Sequence, residues 1–221
     1  TYKITGQKIF ISSGDNDYYE NMVHPVLARI EGDPPGTKGI SIFLVPKFRV
    51  NADGSLGEFN DVICSGIEHK MGIKGSATCT LNFGDNGNCI GWLLGEERQG
   101  MKIMFKMMNF ARNGVAVQGH GNASAAYMNA ITYAKNRYQG VDVTQMLNPD
   151  APLVAISKHP DVKRMLLWMK SHLEGQRLLI YYLYYQMDLK KIAETEDKVN
   201  EAQALLEILT PIAKEIGRAH V

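Results

Sequence analysis

The chain has 221 residues, 45% of them hydrophobic, and its 24 Lys and Arg against 23 Asp and Glu leave a formal charge of +1. That composition argues against disorder and against nucleic-acid binding by phosphate neutralisation. No apolar run approaches the roughly 18 residues of a membrane span, and no secretory signal opens the chain.

Three cysteines, Cys64, Cys79 and Cys89, give an odd count without a CxxC pair, which reads as a reduced, cytoplasmic protein. The chain opens on Thr1 without Met and closes on Val221, with Gly217 as the sole helix-stop signal. Both ends read as cuts within a longer protein.

Residues 1–96 read as a β-domain. Ile4, Ile9–Ile11, Val26–Ile30 and Ile40–Val45 are short apolar or β-branched runs. Turn chemistry separates them at Ser13-Gly14-Asp15-Asn16, Gly32-Asp33-Pro34-Pro35-Gly36 and Asn51-Ala52-Asp53-Gly54. Thr78–Phe83 alternates polar and apolar residues, as a strand with one buried face does. The expectation is an antiparallel sandwich or barrel.

Residues 97–221 read as a helical domain. Met101, Met104, Phe105, Met108, Ala111 and Val115 follow steps of three and four, and no proline interrupts Gln99 to Asn148. One helix of roughly 35 residues follows, in which Gly114, Gly119 and Gly121 each cost about 1 kcal/mol relative to Ala. The expected return is close approach of a neighbouring helix. Asn148–Pro152 reads as a connection. His159-Pro160-Asp161 starts a second helix to about Leu189, with Pro160 in the first turn and Asp161 facing the helix dipole. A third helix is expected over Glu194–Gly217, kinked or divided at Pro211. The fold class is therefore α+β: a β-sandwich or barrel followed by an up-down helical bundle. Met101, Met104, Met107 and Met108 read as core or interface packing, and Tyr181, Tyr182, Tyr184 and Tyr185 as a helix-packing or subunit-interface band.

Familiar catalytic signatures are absent. His24, His69, His120, His159, His172 and His220 form no HxxxH pair, and no Cys/His pair has zinc spacing. The sequence holds no GxSxG elbow and no GxxxxGK[ST] loop. No metal site is expected.

An ordered set of motifs resembles acyl-CoA dehydrogenases. It begins with Thr5-Gly6-Gln7-Lys8-Ile9-Phe10-Ile11-Ser12 and continues through Val26–Arg29, Gly39–Pro46 and Lys70–Ser76. Leu94-Gly95-Glu96 then leads into the long helix, where Ala111-Arg112 and Tyr133–Arg137 stand at the family's arginine positions. Glu68–Gly72 and His159–Arg164 look like the large branch that includes 3-methylmercaptopropionyl-CoA dehydrogenases.

The resemblance implies the family's middle β-domain plus part of its C-terminal helical domain, with FAD between them. It implies oxidation of an acyl-CoA to a trans-2-enoyl-CoA by α-proton abstraction and β-hydride transfer to flavin N5. Electrons then pass to an electron-transfer flavoprotein, and the enzyme is a homodimer or homotetramer. Phe10, Ile11 and Ser12 are thereby implied at the flavin, and Arg137 and Gln139 at the FAD pyrophosphate. Asn109 and Arg112 are implied at the acyl-CoA. The family's Arg137 segment often continues to an aromatic-Gly pair, whereas this chain has Tyr138-Gln139-Gly140. One branch carries its catalytic glutamate just before the helix arginine, where this chain has Ala111. No catalytic residue is nominated; Glu68, Glu174 and Glu207 have no positional support. An acyl-CoA oxidase-like flavoprotein and a non-catalytic binding scaffold are the alternatives.

Overall fold

The computed structural model describes residues 1–219 and divides into two compact units, Thr1–Met107 and Met108–Val221. His220 lies outside the described residues. The division falls inside the first long helix rather than at its start.

The first unit is built from nine strands. β1 (Tyr2–Lys3), β2 (Gly6–Ser12), β3 (Val23–Arg29) and β4 (Ile40–Pro46) come first, followed by the short ribbon of β5 (Phe48–Val50) and β6 (Leu56–Phe59). Then come β7 (Val62–Ile67), β8 (Thr78–Phe83) and β9 (Ile90–Leu93). They form an antiparallel sheet in the order β1-β9-β4-β3 and another in the order β2-β8-β7. Val26, Phe43 and Val45 of one sheet and Cys79, Leu81 and Phe83 of the other share one core, so the two sheets enclose it as a sandwich. Along β8 the alternation read from the sequence holds: Cys79, Leu81 and Phe83 are buried, while Thr78, Thr80 and Asn82 are not. Ile4 belongs to that core but lies between β1 and β2 rather than on a strand.

Two buried polar residues tie the loops to this core. Asn60 donates from Nδ2 to the carbonyls of Pro46 and Ile90 at 2.8 and 2.9 Å. Its Oδ1 accepts from the Ile90 amide at 2.9 Å and from Arg49 Nε at 3.1 Å, so every polar group of the side chain is engaged. The Asp61 carboxylate accepts from the Asn86 and Asn88 amides and from Asn86 Nδ2. Burial alone would raise this carboxyl; those bonds outweigh it and hold it below the ordinary value.

The second unit contains most of α1 (Gly100–Asn136), an antiparallel ribbon of β10 (Tyr138–Val141) and β11 (Leu153–Ala155), α2 (Pro160–Ile192) and α3 (Glu196–Ala219). The ribbon occupies a stretch read from the sequence as a bare connection. Ala116, Ile180, Leu183 and Ala213 form the core of the three helices, backed by Leu179, Tyr184, Leu206 and Leu209. Asn113 Nδ2 bonds Met187 Sδ at 3.4 Å and His120 Nδ1 bonds Gln176 Oε1 at 3.4 Å, so α1 and α2 run antiparallel.

Three details refine the sequence expectation. α3 is not divided at Pro211 and passes Gly217, because tertiary packing of Leu206, Leu209 and Ala213 fixes the segment despite the missing amide donor. Gly114 and Gly121 are exposed, and a Cβ at either would meet no described atom within 4 Å, so no helix of this chain approaches them closely; of the three only Gly119 is buried. Met107 and the rings of Tyr181, Tyr182 and Tyr185 are exposed on this single chain, so of the two expected roles the helical core takes only Tyr184.

Candidate functional site

In the first unit the candidate residues sit on an irregular strand. Lys8 pairs with Leu81 and Ile11 with Cys79, so Ile9 and Phe10 together oppose the single residue Thr80. This is a β-bulge, which bends the strand and re-aims side chains. Phe10 absorbs the distortion at φ 58°, a left-handed conformation that a bulky residue rarely adopts. Its ring is 66% exposed and has no aromatic neighbour among the described residues. On the other side of β8, Cys64 pairs with Leu81 and Gly66 with Thr80, which makes Ser65 an extra residue. Both neighbours of β8 therefore break register at Thr80.

Ile11 is half-buried and packs on the sandwich core, and its carbonyl accepts from the Gly14 amide at 3.2 Å. Ser12 pairs with Thr78, is exposed, and its hydroxyl has no hydrogen bond to any described residue. Beside it Ser13 has φ 51°, donates from its amide to the Ala77 carbonyl at 2.7 Å, and shares a 3.3 Å hydroxyl contact with Ser76. The β7–β8 loop that Ser76 closes carries the exposed side chains of Met71 and Ile73, the latter at φ 52°. An exposed aromatic ring suits a flat apolar ligand.

In the second unit Asn109 and Arg112 lie three residues apart on α1, and Arg112 NH1 donates to Asn109 Oδ1 at 3.1 Å. The guanidinium makes no ion pair with a described residue, so its remaining N–H groups are available to an acceptor. Arg137 follows the end of α1; its amide donates to Tyr133 O at 2.9 Å and its carbonyl accepts from the Ile156 amide at 2.8 Å. Its guanidinium is exposed and has no ion pair with any described residue. Gln139 lies on β10 with its side chain exposed, and its carbonyl accepts from His159 Nε2 at 2.7 Å. The structure thus brings together Phe10, Ile11 and Ser12 on β2, Asn109 with Arg112 on α1, and Arg137 with Gln139 at the ribbon.

Asp53, Asp61 and Asp142 are all held low. For Asp142 the Thr144 amide and hydroxyl are the main cause, with Lys163 and His159 adding. Glu174 faces Arg177 at 3.4 Å and Lys170 at 3.9 Å, and Glu207 accepts from Gln203 Nε2. Cys89 is buried and its thiol is pushed up to about 11, which removes it as a nucleophile. Among the described residues no group of three or more His, Cys, Asp or Glu is arranged to hold a metal.

Sequence reasoning missed three features: the bulge at Phe10, the β10–β11 ribbon, and the bond from His159 to Gln139. The β10 segment carries one local signal, Gly140 at φ 72°; the β2 bulge carries none, since Phe10 is not glycine.

No protein-family model matches the chain. It is 46% identical over 218 residues to a butyryl-CoA dehydrogenase of Syntrophomonas wolfei, spanning 96% of this chain and 35% of that protein. It is 40% identical over 214 residues to the 3-methylmercaptopropionyl-CoA dehydrogenase of Ruegeria pomeroyi, spanning 97% of this chain and 35% of that one. Among solved structures, an acyl-CoA dehydrogenase of Bacillus anthracis complexed with FAD superposes with a TM-score of 0.71 at 24% identity, over 98% of this chain and 33% of the other. The chain therefore spans about a third of the length of the curated relatives it matches.

Proposed function

The chain belongs to the acyl-CoA dehydrogenase family, and from that premise we propose that it supplies the middle β-domain and part of the C-terminal helical domain of an FAD-dependent oxidoreductase. The parent enzyme converts an acyl-CoA to a trans-2-enoyl-CoA, as in β-oxidation, within the cytoplasm. The observation that carries this reading is the 46% identity held over 96% of the chain to a butyryl-CoA dehydrogenase.

The residues present fit the cofactor. Phe10 offers an exposed, unstacked ring, Ser12 a hydroxyl with no described partner, and Arg137 an unpaired guanidinium fork. When bound, FAD supplies the acceptor for the β-hydride. Phe10 gives the flavin ring an apolar neighbour. Ser12 and the Ile11 backbone offer polar contacts to its edge. Arg137 suits the diphosphate because a guanidinium bonds two phosphate oxygens at once, with Gln139 as its companion. Asn109 accepts from Arg112 and so restrains that guanidinium, and in this reading the pair meets the acyl-CoA.

The α-proton goes to a carboxylate of the parent protein; within this chain the position just before Arg112, where one branch of the family carries its glutamate, holds Ala111. An electron-transfer flavoprotein would take up the electrons that bound FAD accepts, and the parent assembles as a homodimer or homotetramer. The test is anaerobic titration of the full-length parent with acyl-CoAs of several chain lengths. Bleaching of the flavin absorbance with stoichiometric enoyl-CoA is expected; an unbleached flavin with every acyl-CoA defeats the reading, and rapid reoxidation by oxygen alone redirects it to an oxidase.

A further inference from the structure

His159 stands one residue before α2, where its backbone is already committed. Its amide donates to the Ile156 carbonyl at 3.1 Å, and its carbonyl accepts from the Lys163 amide at 3.0 Å. It occupies the N-cap position with φ −66° and ψ 135°, yet its side chain caps nothing. Ser, Thr, Asp and Asn do that work at helix starts, so an imidazole here is unexplained by the helix itself. It reaches back twenty positions instead: Nε2 donates to the Gln139 carbonyl at 2.7 Å. A carbonyl only accepts, so Nε2 carries the proton.

The carbonyl it holds lies in an irregular place. Tyr138 pairs with Ala155 and Val141 with Leu153, so Gln139 and Gly140 together oppose Val154. Gly140 takes φ 72°, and a Cβ built on it would lie 3.4 Å from the His159 ring, which therefore packs against this bulge. A second anchor comes from the same short segment, since the Ile156 amide donates to the Arg137 carbonyl at 2.8 Å. The residues Ile156–His159 thus grip the backbone on both sides of Tyr138, at Arg137 and Gln139, whose side chains are exposed.

We infer that His159 is a positioning residue for cofactor binding: it fixes the β10 bulge so that Arg137 and Gln139 present their donors to a diphosphate in one preset geometry. The inference rests on the reading that Arg137 and Gln139 meet the FAD diphosphate. His159 itself touches no cofactor. Its effect is preorganisation, which reduces the ordering cost met at binding.

The experiment uses the full-length parent with three single substitutions and measures FAD dissociation by recovery of flavin fluorescence. His159→Leu removes the donor while keeping bulk, and His159→Gln restores an N–H where Nε2 stood. Loss of one such bond is expected to weaken FAD about tenfold in His159→Leu. His159→Gln is expected to return to within about threefold of the parent, and ADP, which carries the diphosphate without the flavin, to weaken in parallel with FAD. Equal FAD affinity in His159→Leu and the parent overturns the inference. So does equal weakening by Leu and Gln, which marks a merely structural residue, as does failure of both variants to fold. Arg137→Ala tests the reading beneath it: if that change leaves FAD affinity intact, the diphosphate assignment fails on its own, whatever His159 does.

Discussion

Phe10 is the residue where backbone strain and the proposed flavin contact meet. An L-residue in the left-handed region costs about 1–2 kcal/mol, and Phe10 sits there at φ 58° with a mostly solvated ring. Glycine adopts that conformation freely. Phe10→Gly is therefore expected to keep or raise folding stability, by up to about 1 kcal/mol, while flavin affinity of the parent falls; urea unfolding beside flavin titration separates the two effects. A parallel loss of stability and binding makes Phe10 an ordinary structural residue. His24 is a second informative position. Burial lowers its imidazole below the ordinary 6.5, Asp15 opposes and Lys47 adds. The fold thus accommodates the neutral ring, set edge-on to Phe83 at 6.1 Å. The unfolded chain binds a proton first, so this contribution is complete above the ordinary value and is lost as pH falls from there through the lowered folded value. His24→Phe keeps a ring against Phe83 and is expected to flatten the fall in stability below pH 6.5; an unchanged slope of the urea midpoint there rules out His24 as its source.

The elements differ in how far local sequence dictates them. β8 alternates because its buried face meets the opposite sheet, and every second residue from Cys79 to Phe83 is apolar enough to serve. The helices α1 and α2 run close to their expected lengths because no proline interrupts their interiors. Where α1 begins is a tertiary matter. The Arg98 amide donates to the buried Ser41 hydroxyl at 2.8 Å, and a Cβ on Gly100 would fall 2.5 Å from the Ser41 carbonyl carbon. Backbone cannot yield as a flexible side chain does. Gly100→Ala is thus expected to destabilise by about 1–3 kcal/mol through overpacking, whereas Gly114→Ala, with open space around it, is expected to stabilise α1 by about 1 kcal/mol. Chemical denaturation of the pair checks both signs; destabilisation by Gly114→Ala points to a neighbour that this chain alone does not contain.

At the scale of the whole molecule the chain holds two units with separate cores, and no helix among the described residues is long and apolar enough to cross a membrane. It spans about a third of its relatives' length, and the proposed flavin contacts available within it are few. The isolated chain is accordingly expected to purify with little or no FAD, read from the flavin absorbance per protein; a stoichiometric yellow protein contradicts this. Much of the architecture was legible beforehand. The β-then-α order, the alternation of Thr78–Phe83, the helix start at Pro160 and the ordered motifs from Gly6 to Arg137 follow from side chains reading their own neighbours, since period and turn chemistry are local. Residue pairs on one helix are equally local, and Asn109 with Arg112 met as three-residue spacing requires. The register breaks around Thr80, the left-handed Phe10 and the grip of His159 on Gln139 were decided only by tertiary structure. A bulge exists only relative to the partner strand, and a backbone carbonyl accepts from whichever donor the fold brings to it, so neither leaves a mark in the residues that carry it.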